Sequence, residues 1–339
     1  MLPVYSGGHT AYQTFLLENL RKYYPDPTVF SKSTWDIIER FWNLDLSYTD
    51  ELLRSKYSVF GPKPRTPSCM QRSYLLSIDF KVHSLTDWAA QLKINPLYAI
   101  LSGFRFGDTP GVGTFYDFLN RLWDSDSDNL SPHIHPLKKK KVQKPKQKGE
   151  KAESIEKITV EQLFKSMESS SFSIDDQPYA SLFKIYNHEF LTVSISKGLI
   201  DTSNLSIAGD GMPVVTSARE RKHRICKCSE NGITSCDCDR YFSQPDCDVG
   251  YDSSRDCFYH GYDLYMLVAS NSESDLPLFP LLNPASKHDS HGFLETYFRF
   301  RAFLPDFHIS KWLLDSAHDA MPYYQYCREN GIQPFIDLN

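Results

Sequence analysis

From Asp124 to Lys157 the chain reads DSDSDNLSPHIHPLKKKKVQKPKQKGEKAESIEK, a stretch almost without large apolar side chains. Such a stretch buries too little apolar surface to offset the entropy of ordering it, so it must run as a solvated tether. It therefore divides the 339 residues into an N-terminal domain (1–123), a charged linker (124–157) and a C-terminal domain (158–339). An apolar fraction of 41% is enough for a core on each side of the tether.

The formal net charge is -5, yet seven lysines fall between Lys138 and Lys148. Any affinity for nucleic acid must therefore be local. Lys138, Lys139, Lys140 and Lys141 are candidates for lying along phosphates, with a plain soluble tether as the alternative. No basic start followed by an apolar core opens the chain, and no run is long enough to span a bilayer, so a cytoplasmic protein without membrane contact is expected.

N-terminal to the tether the apolar residues recur at helical spacing, as in Phe15, Leu16 and Leu20, then Trp35, Ile38 and Phe41. Ser84 with Asp87 reads as a capping-box start for DWAAQLK, and Asn95 followed by Pro96 opens LYAIL. These two short helices fit a helix-turn-helix or simply two packed helices of a bundle. Thr114, paired with Asp117, reads as the cap of a further helix.

Beyond the tether, helical spacing covers Val160 to Met167 and Tyr179 to Lys197, and then the period changes. LSIAGD (205–210), FYHGYDLYMLVAS (258–270), LPLFPLLNPA (276–285), KWLLDSA (311–317) and PFIDL (334–338) read as strands. Between the third and fourth lies a helix carrying Phe293, Tyr297 and Phe300, with Asp289 as its expected cap. Between the fourth and fifth lies another, capped by Asp319 and closed by Gly331. Three strands in a meander, then helix, strand, helix, strand, make a mixed α/β sheet. Asp210 ends the first strand and Asp315 the fourth. If those strands are neighbours, the two carboxylates emerge on one edge, a geometry suited to a hard divalent cation. Two such ions about 4 Å apart are a common device for phosphodiester chemistry.

The stretches IAGDGMPV, FYHGYDLYMLVASNSESDLPLFPLLNPASKHDS and WLLDSAHDAMPYYQYCRENGIQPFID, in this order, resemble the catalytic domain of bacterial insertion-sequence DDE transposases. The segment from Tyr74 to Trp123 resembles their N-terminal domain more loosely. The resemblance implies a helical N-terminal domain followed by a ribonuclease H-like mixed-sheet domain that is incomplete at its C-terminus. It makes Asp210 and Asp315 catalytic ligands of Mg2+ (or Mn2+), acting on the terminal repeats of an element and on target DNA, with a homodimer or larger assembly holding two ends. The family's third acid, a glutamate on a helix after the fifth strand, has no counterpart here. Glu329 lies on another helix and Asp337 on a strand. The chain is thus expected to be a fragment or a decayed copy, inactive by itself.

Six of the eight cysteines crowd between Cys226 and Cys257, within an insertion at about 219–257. Cys226, Cys228, Cys236 and Cys238 form two C-x-C pairs around an Asn231-Gly232 turn. On paired strands of a hairpin they could present four thiolates to one Zn2+. Reduced thiols in a variable loop are the alternative, and Cys247 and Cys257 are substitutes or a second partial site. The insertion also carries Arg219, Arg221, Lys222, His223 and Arg224, which fit either phosphate contacts or a solvated turn. Two rival readings stand beside the transposase: a ribonuclease H-like nuclease that hydrolyses DNA without joining it, and a non-catalytic, transposon-derived, zinc-containing DNA-binding protein.

Overall fold

A computed structural model describes residues 8–58, 60–61, 63–125, 159–218, 223–224, 226–236, 238 and 240–338. The protein combines helices with a mixed sheet. Its helices are α1 (Gly8–Tyr23), α2 (Lys32–Asn43), α3 (Ser47–Leu52), α4 (Pro67–Asp79), α5 (Leu85–Ile94), α6 (Pro96–Ser102), α7 (Val112–Leu122), α8 (Val160–Ser169), α9 (Ala180–Tyr186), α10 (Thr192–Ser196), α11 (Asp289–Phe303) and α12 (Met321–Glu329). The strands are β1 (Leu205–Val215), β2 (His223–Arg224), β3 (Arg240–Tyr241), β4 (Asp248–Asp252), β5 (Cys257–Ala269), β6 (Leu276–Pro284), β7 (Ile309–Leu314) and β8 (Gln333–Ile336). The chain divides into two compact units, one of residues 1–125 with 177–193, the other of 126–176 with 194–339. No described helix is long and apolar enough to cross a membrane.

The first unit is helical and closes on one core in which Leu16, Phe41, Trp88, Ile100 and Phe115 are almost wholly buried. Trp88 is admitted to that core because its indole N–H has a partner, Ser73 Oγ at 2.9 Å. Ser84 caps α5 by accepting from the Asp87 N–H, and Asn95 caps α6 by accepting from Leu97, with Pro96 in the first turn. Thr114 is not a cap: α7 starts two residues earlier from Gly111, whose extended backbone (φ -84°, ψ 169°) makes the turn into the helix. The stretch 177–193 is held here by buried polar contacts. Between α9 and α10 the backbone widens into one π-helical turn, Asn187–Leu191, and from it the buried Glu189 accepts from Thr49 N (3.0 Å), Thr49 Oγ1 (2.9 Å) and Gln71 Nε2 (2.8 Å). Burial raises the Glu189 pKa, and those hydrogen bonds, which favour the carboxylate, oppose the rise.

In the second unit β5 pairs antiparallel with β1 along one edge and with β6 and β4 along the other. β7 runs parallel to β1, and β8 parallel to β7. Short links give the antiparallel pair β5–β6, whereas the parallel pairs need crossovers, supplied by α11 and α12. The order across the sheet is therefore β4 and β6, then β5, β1, β7 and β8. One face is covered by α8, α11 and α12 through a dense aromatic cluster. Trp312 of β7 lies 4.8 Å from Phe293, 4.7 Å from Tyr297 and 5.5 Å from Tyr326, ring centre to ring centre, and Phe164 of α8 stands 5.2 Å from Tyr323. Aromatic pairs at these separations add about 0.5–1.5 kcal/mol each beyond their area burial. Gly261 marks the crowded crossing of β1, β4 and β5: a methyl group there would sit 2.0 Å from the Val214 carbonyl oxygen.

Candidate functional site

Asp210 lies inside a strand and not at its end. β1 continues to Val215 because the segment after Asp210 pairs residue by residue with β5, as far as Val215 opposite Gly261. What ends near Asp210 is the pairing of β1 with β7, whose last parallel partners are Ala208 and Leu313. Asp210 comes two residues after Ala208, and Asp315, just past the end of β7, two residues after Leu313. Asp210 is exposed, and its Oδ1 accepts from the Gly211 N–H at 2.8 Å. Asp315 follows β7 directly and caps the short 3-10 turn Ser316–His318, accepting from the Ala317 N–H at 3.2 Å.

Asp315 also has a buried support that sequence reasoning missed. Its Oδ1 lies 2.6 Å from His318 Nδ1, and His318 Nε2 lies 3.0 Å from the Tyr265 hydroxyl. An ionised carboxylate can only accept, so Nδ1 carries the proton toward Asp315, and in the neutral ring Nε2 accepts from Tyr265. His318 is 1% exposed and Tyr265 is fully buried, so the half-exposed Asp315 is steadied by groups that cannot move freely. The signal in the sequence was the histidine three residues after Asp315 on one tight turn.

Two further aspartates converge on β1 from its helix-covered side. A methyl group on Gly211 would lie 2.7 Å from Asp289 Oδ1 and 2.8 Å from Asp263 Oδ1, so only glycine leaves room for both. Asp263 is almost wholly buried on β5, and its Oδ2 has no hydrogen-bond partner. Burial above all, and then the Asp289 and Asp210 carboxylates, push its pKa up to about 7. Asp289 is raised by burial and by Asp315, with His288 and His318 opposing. Asp289 is not the cap of α11; His288 is, accepting from the Ser290 N–H. Asp319 likewise does not cap α12, whose N-cap is Ala320; it accepts instead from the Tyr324 hydroxyl at 2.9 Å. Asp263 stood in a strand whose alternation was legible, with Tyr265 and Leu267 on its face. Which face is buried was not, and that alone makes its carboxylate unusual.

Asp289 thus lies within electrostatic reach of Asp210, Asp263 and Asp315, and such hard oxygen donors suit Mg2+ or Mn2+ and resist lying close together without positive charge. They stop short of one tight coordination sphere. Among the described residues, the group of three or more donor side chains whose ligand atoms all lie within 4.8 Å of one another is Cys226, Cys228, Cys236 and Cys238.

The cysteines do not sit on paired strands as expected. The antiparallel pair β2–β3 is only two residues long on each side, and all four cysteines lie on the turns between, with Gly232 at φ +75°. Cys226 Sγ is 3.5 Å from Cys236 Sγ, and Cys228 Sγ is 3.7 Å from Cys238 Sγ. A tetrahedron of sulfurs about 2.3 Å from a zinc ion has edges of about 3.8 Å, so the quartet could hold such a metal. The Cys228 backbone N–H and then the Cys236 thiol lower Cys226 to about 7, and the Cys226 thiol pushes Cys228 up to about 12. One thiolate forms readily and obstructs the next, an arrangement that a bound cation relieves. Cys247 and Cys257 do not join this quartet. Cys247 is packed with Ala218 and Phe242, and Cys257 is exposed at the start of β5. Lys138, Lys139, Lys140, Lys141, Arg219, Arg221 and Lys222, together with the side chain of Arg224, lie outside the described residues.

No family model matches the chain, and no curated protein matches it. Among solved structures it is similar to a chain of the Drosophila P element transposase strand transfer complex, with a TM-score of 0.27 and 11% identity. The likeness covers 95% of this chain and 47% of that one, so this chain spans about half the length of that protein. A superposition this loose does not decide fold or function.

Proposed function

We propose that the protein is a DNA transposase of the bacterial insertion-sequence DDE kind. The second unit is its ribonuclease H-like catalytic domain, and the first unit, with the lysine-rich linker, engages DNA ends. The observation that supports this reading is the parallel pairing of β1 with β7, which runs the strand carrying Asp210 beside the strand that Asp315 follows. The strand order, four antiparallel strands (β1, β4, β5 and β6) followed by two reached through helical crossovers, supports the same fold, as do the sequence stretches around both acids.

In this reading Asp210 and Asp315 are the catalytic ligands of Mg2+ or Mn2+, and Asp289 and Asp263 add negative charge behind them. The ions, when bound, supply Lewis-acid stabilisation of charge on the transferring phosphoryl group. His318, backed by Tyr265, keeps Asp315 oriented at the edge. Linker and insertion cations contribute sequence-independent affinity for DNA phosphates, and two bound ends call for a dimer or larger assembly. A structural zinc on the cysteine quartet belongs to the same reading. The cysteine geometry is also what favours the alternative of a non-catalytic, zinc-containing DNA-binding protein.

The test is a strand-transfer assay on element-end DNA with Mg2+ or Mn2+, run beside Asp210→Asn and Asp315→Asn. Joined products lost in both variants support the transposase; cleavage without joining leaves a nuclease. Neither cleavage nor joining, together with Mn2+ affinity equal in the unaltered protein and both variants, sinks the catalytic reading.

A further inference from the structure

The first unit holds a cavity of about 670 Å³ between α1, α4 and the loops that precede α4 and follow α6. Its size is that of a small-ligand site. At its wall lies Arg72 of α4, 2% exposed, with its guanidinium stacked 3.6 Å over the Tyr12 ring. A guanidinium has five N–H groups and remains charged, so burying one demands acceptors. Arg72 has one long contact, Nη2 to the Leu44 carbonyl at 3.5 Å, while Nε and Nη1 have no partner. His9, also on the wall, has an unpartnered Nδ1.

The described acids nearest Arg72 are engaged elsewhere. Asp45 and Asp50 feel the Arg72 charge, but Asp45 accepts from Ser47 N (2.9 Å) and its hydroxyl, and Asp50 accepts from Ser68 N at 2.7 Å and Ser68 Oγ at 2.8 Å. Asp108, the other acid on the wall, is bound by Arg65 at 2.5 Å. Two exposed cations, Lys63 and Arg105, complete the lining on the solvent side.

We propose that this cavity binds a phosphate group, with Arg72 as its buried anchor and Lys63 and Arg105 as its outer cations. Guanidinium groups suit phosphate in charge, and a phosphate in the cavity would lie close to an Arg72 charge that the described carboxylates leave without a direct pair. The phosphate belongs either to a free nucleotide or to the backbone of a DNA strand. The proposal concerns the helical unit alone and stands whether or not the sheet-edge acids bind metal.

The test uses the full chain in EDTA at low salt, titrated by calorimetry with inorganic phosphate, dAMP, deoxyadenosine and a short single-stranded oligonucleotide. The expected result is saturable binding of the phosphate-bearing probes and none of deoxyadenosine. The double variant Lys63→Ala/Arg105→Ala, whose changed side chains are exposed, should fold normally and bind at least about tenfold more weakly, about 1.4 kcal/mol. Arg72→Gln should abolish binding; if that variant fails to fold, the double variant decides. Tighter binding of dAMP than of the oligonucleotide identifies a free nucleotide as the source, and the reverse identifies DNA. No saturable binding of any phosphate probe at millimolar concentration, equal binding of deoxyadenosine and dAMP, or an unchanged affinity in the double variant would overturn the proposal.

Discussion

The carboxylates at the sheet edge and the cysteines of the insertion are two sets of ligand-type side chains in one unit, built on opposite principles. Asp210 is placed by the pairing of β1 with β5, and Asp315 by the 3-10 turn that follows β7, on a sheet whose covered face is packed with aromatic rings. The cysteines lie on turns between two-residue strands, with little apolar packing of their own. The sheet edge should therefore keep its shape with or without an ion, whereas the cysteine turns should be ordered by a metal when one binds. The difference also sorts metals: hard oxygen donors that stay apart suit Mg2+ or Mn2+, and four convergent sulfurs suit zinc.

The sharpest break of this comparison is removal of the sulfurs. Cys226→Ser with Cys236→Ser should take the protein from one bound zinc to none by metal analysis. Amide exchange should speed up across the insertion and stay unchanged in β1, β5 and β7. Unchanged zinc content would sink the cysteine site.

Next in size is the proton on Asp263. Its folded pKa, about 7, lies above its ordinary value of 3.8. Between those two values the folded state holds a proton that the unfolded chain has lost. In EDTA, stability is thus fully present below about pH 4 and falls as pH rises toward 7, by about 4 kcal/mol at most. Asp263→Asn should flatten that slope in denaturant titrations across pH, and Mn2+ should restore stability to the unaltered protein above pH 7. An equal slope in both proteins would show that Asp263 is not the group responsible.

How far the sequence foretold these two regions follows from what each depends on. Strand period and crossover helices could be read because alternation and element order are local signals that the sheet's topology then respects. The burial of Asp263 and the inward turn of Asp289 could not, since both depend on which face α11 covers and on the missing side chain at Gly211. The caps failed for a similar reason. Asp289 and Asp319 have the right chemistry but miss by one residue in opposite directions: the cap is His288 before the one and Ala320 after the other. The buried Arg72 was silent too, because an arginine in a helical pattern reads as surface until the fold encloses it.

A smaller effect sharpens the account of the sheet edge. His318→Gln removes the charge-capable partner of Asp315 while keeping a side chain of similar reach. It should weaken Mn2+ binding by about tenfold, the usual scale for a residue that orients a metal ligand. The conservative change should leave zinc content untouched. Unaltered Mn2+ affinity would reduce His318 to a packing residue.

The most direct measurement is a calorimetric Mn2+ titration of the zinc-loaded protein, set beside Asp210→Asn, Asp315→Asn and Cys226→Ser. If strand pairing brings the two aspartates together to hold a hard cation, a saturable site appears in the unaltered protein and in Cys226→Ser. In either aspartate variant it weakens at least about hundredfold, about 2.7 kcal/mol. Equal Mn2+ affinity in the unaltered protein and both aspartate variants would contradict the account.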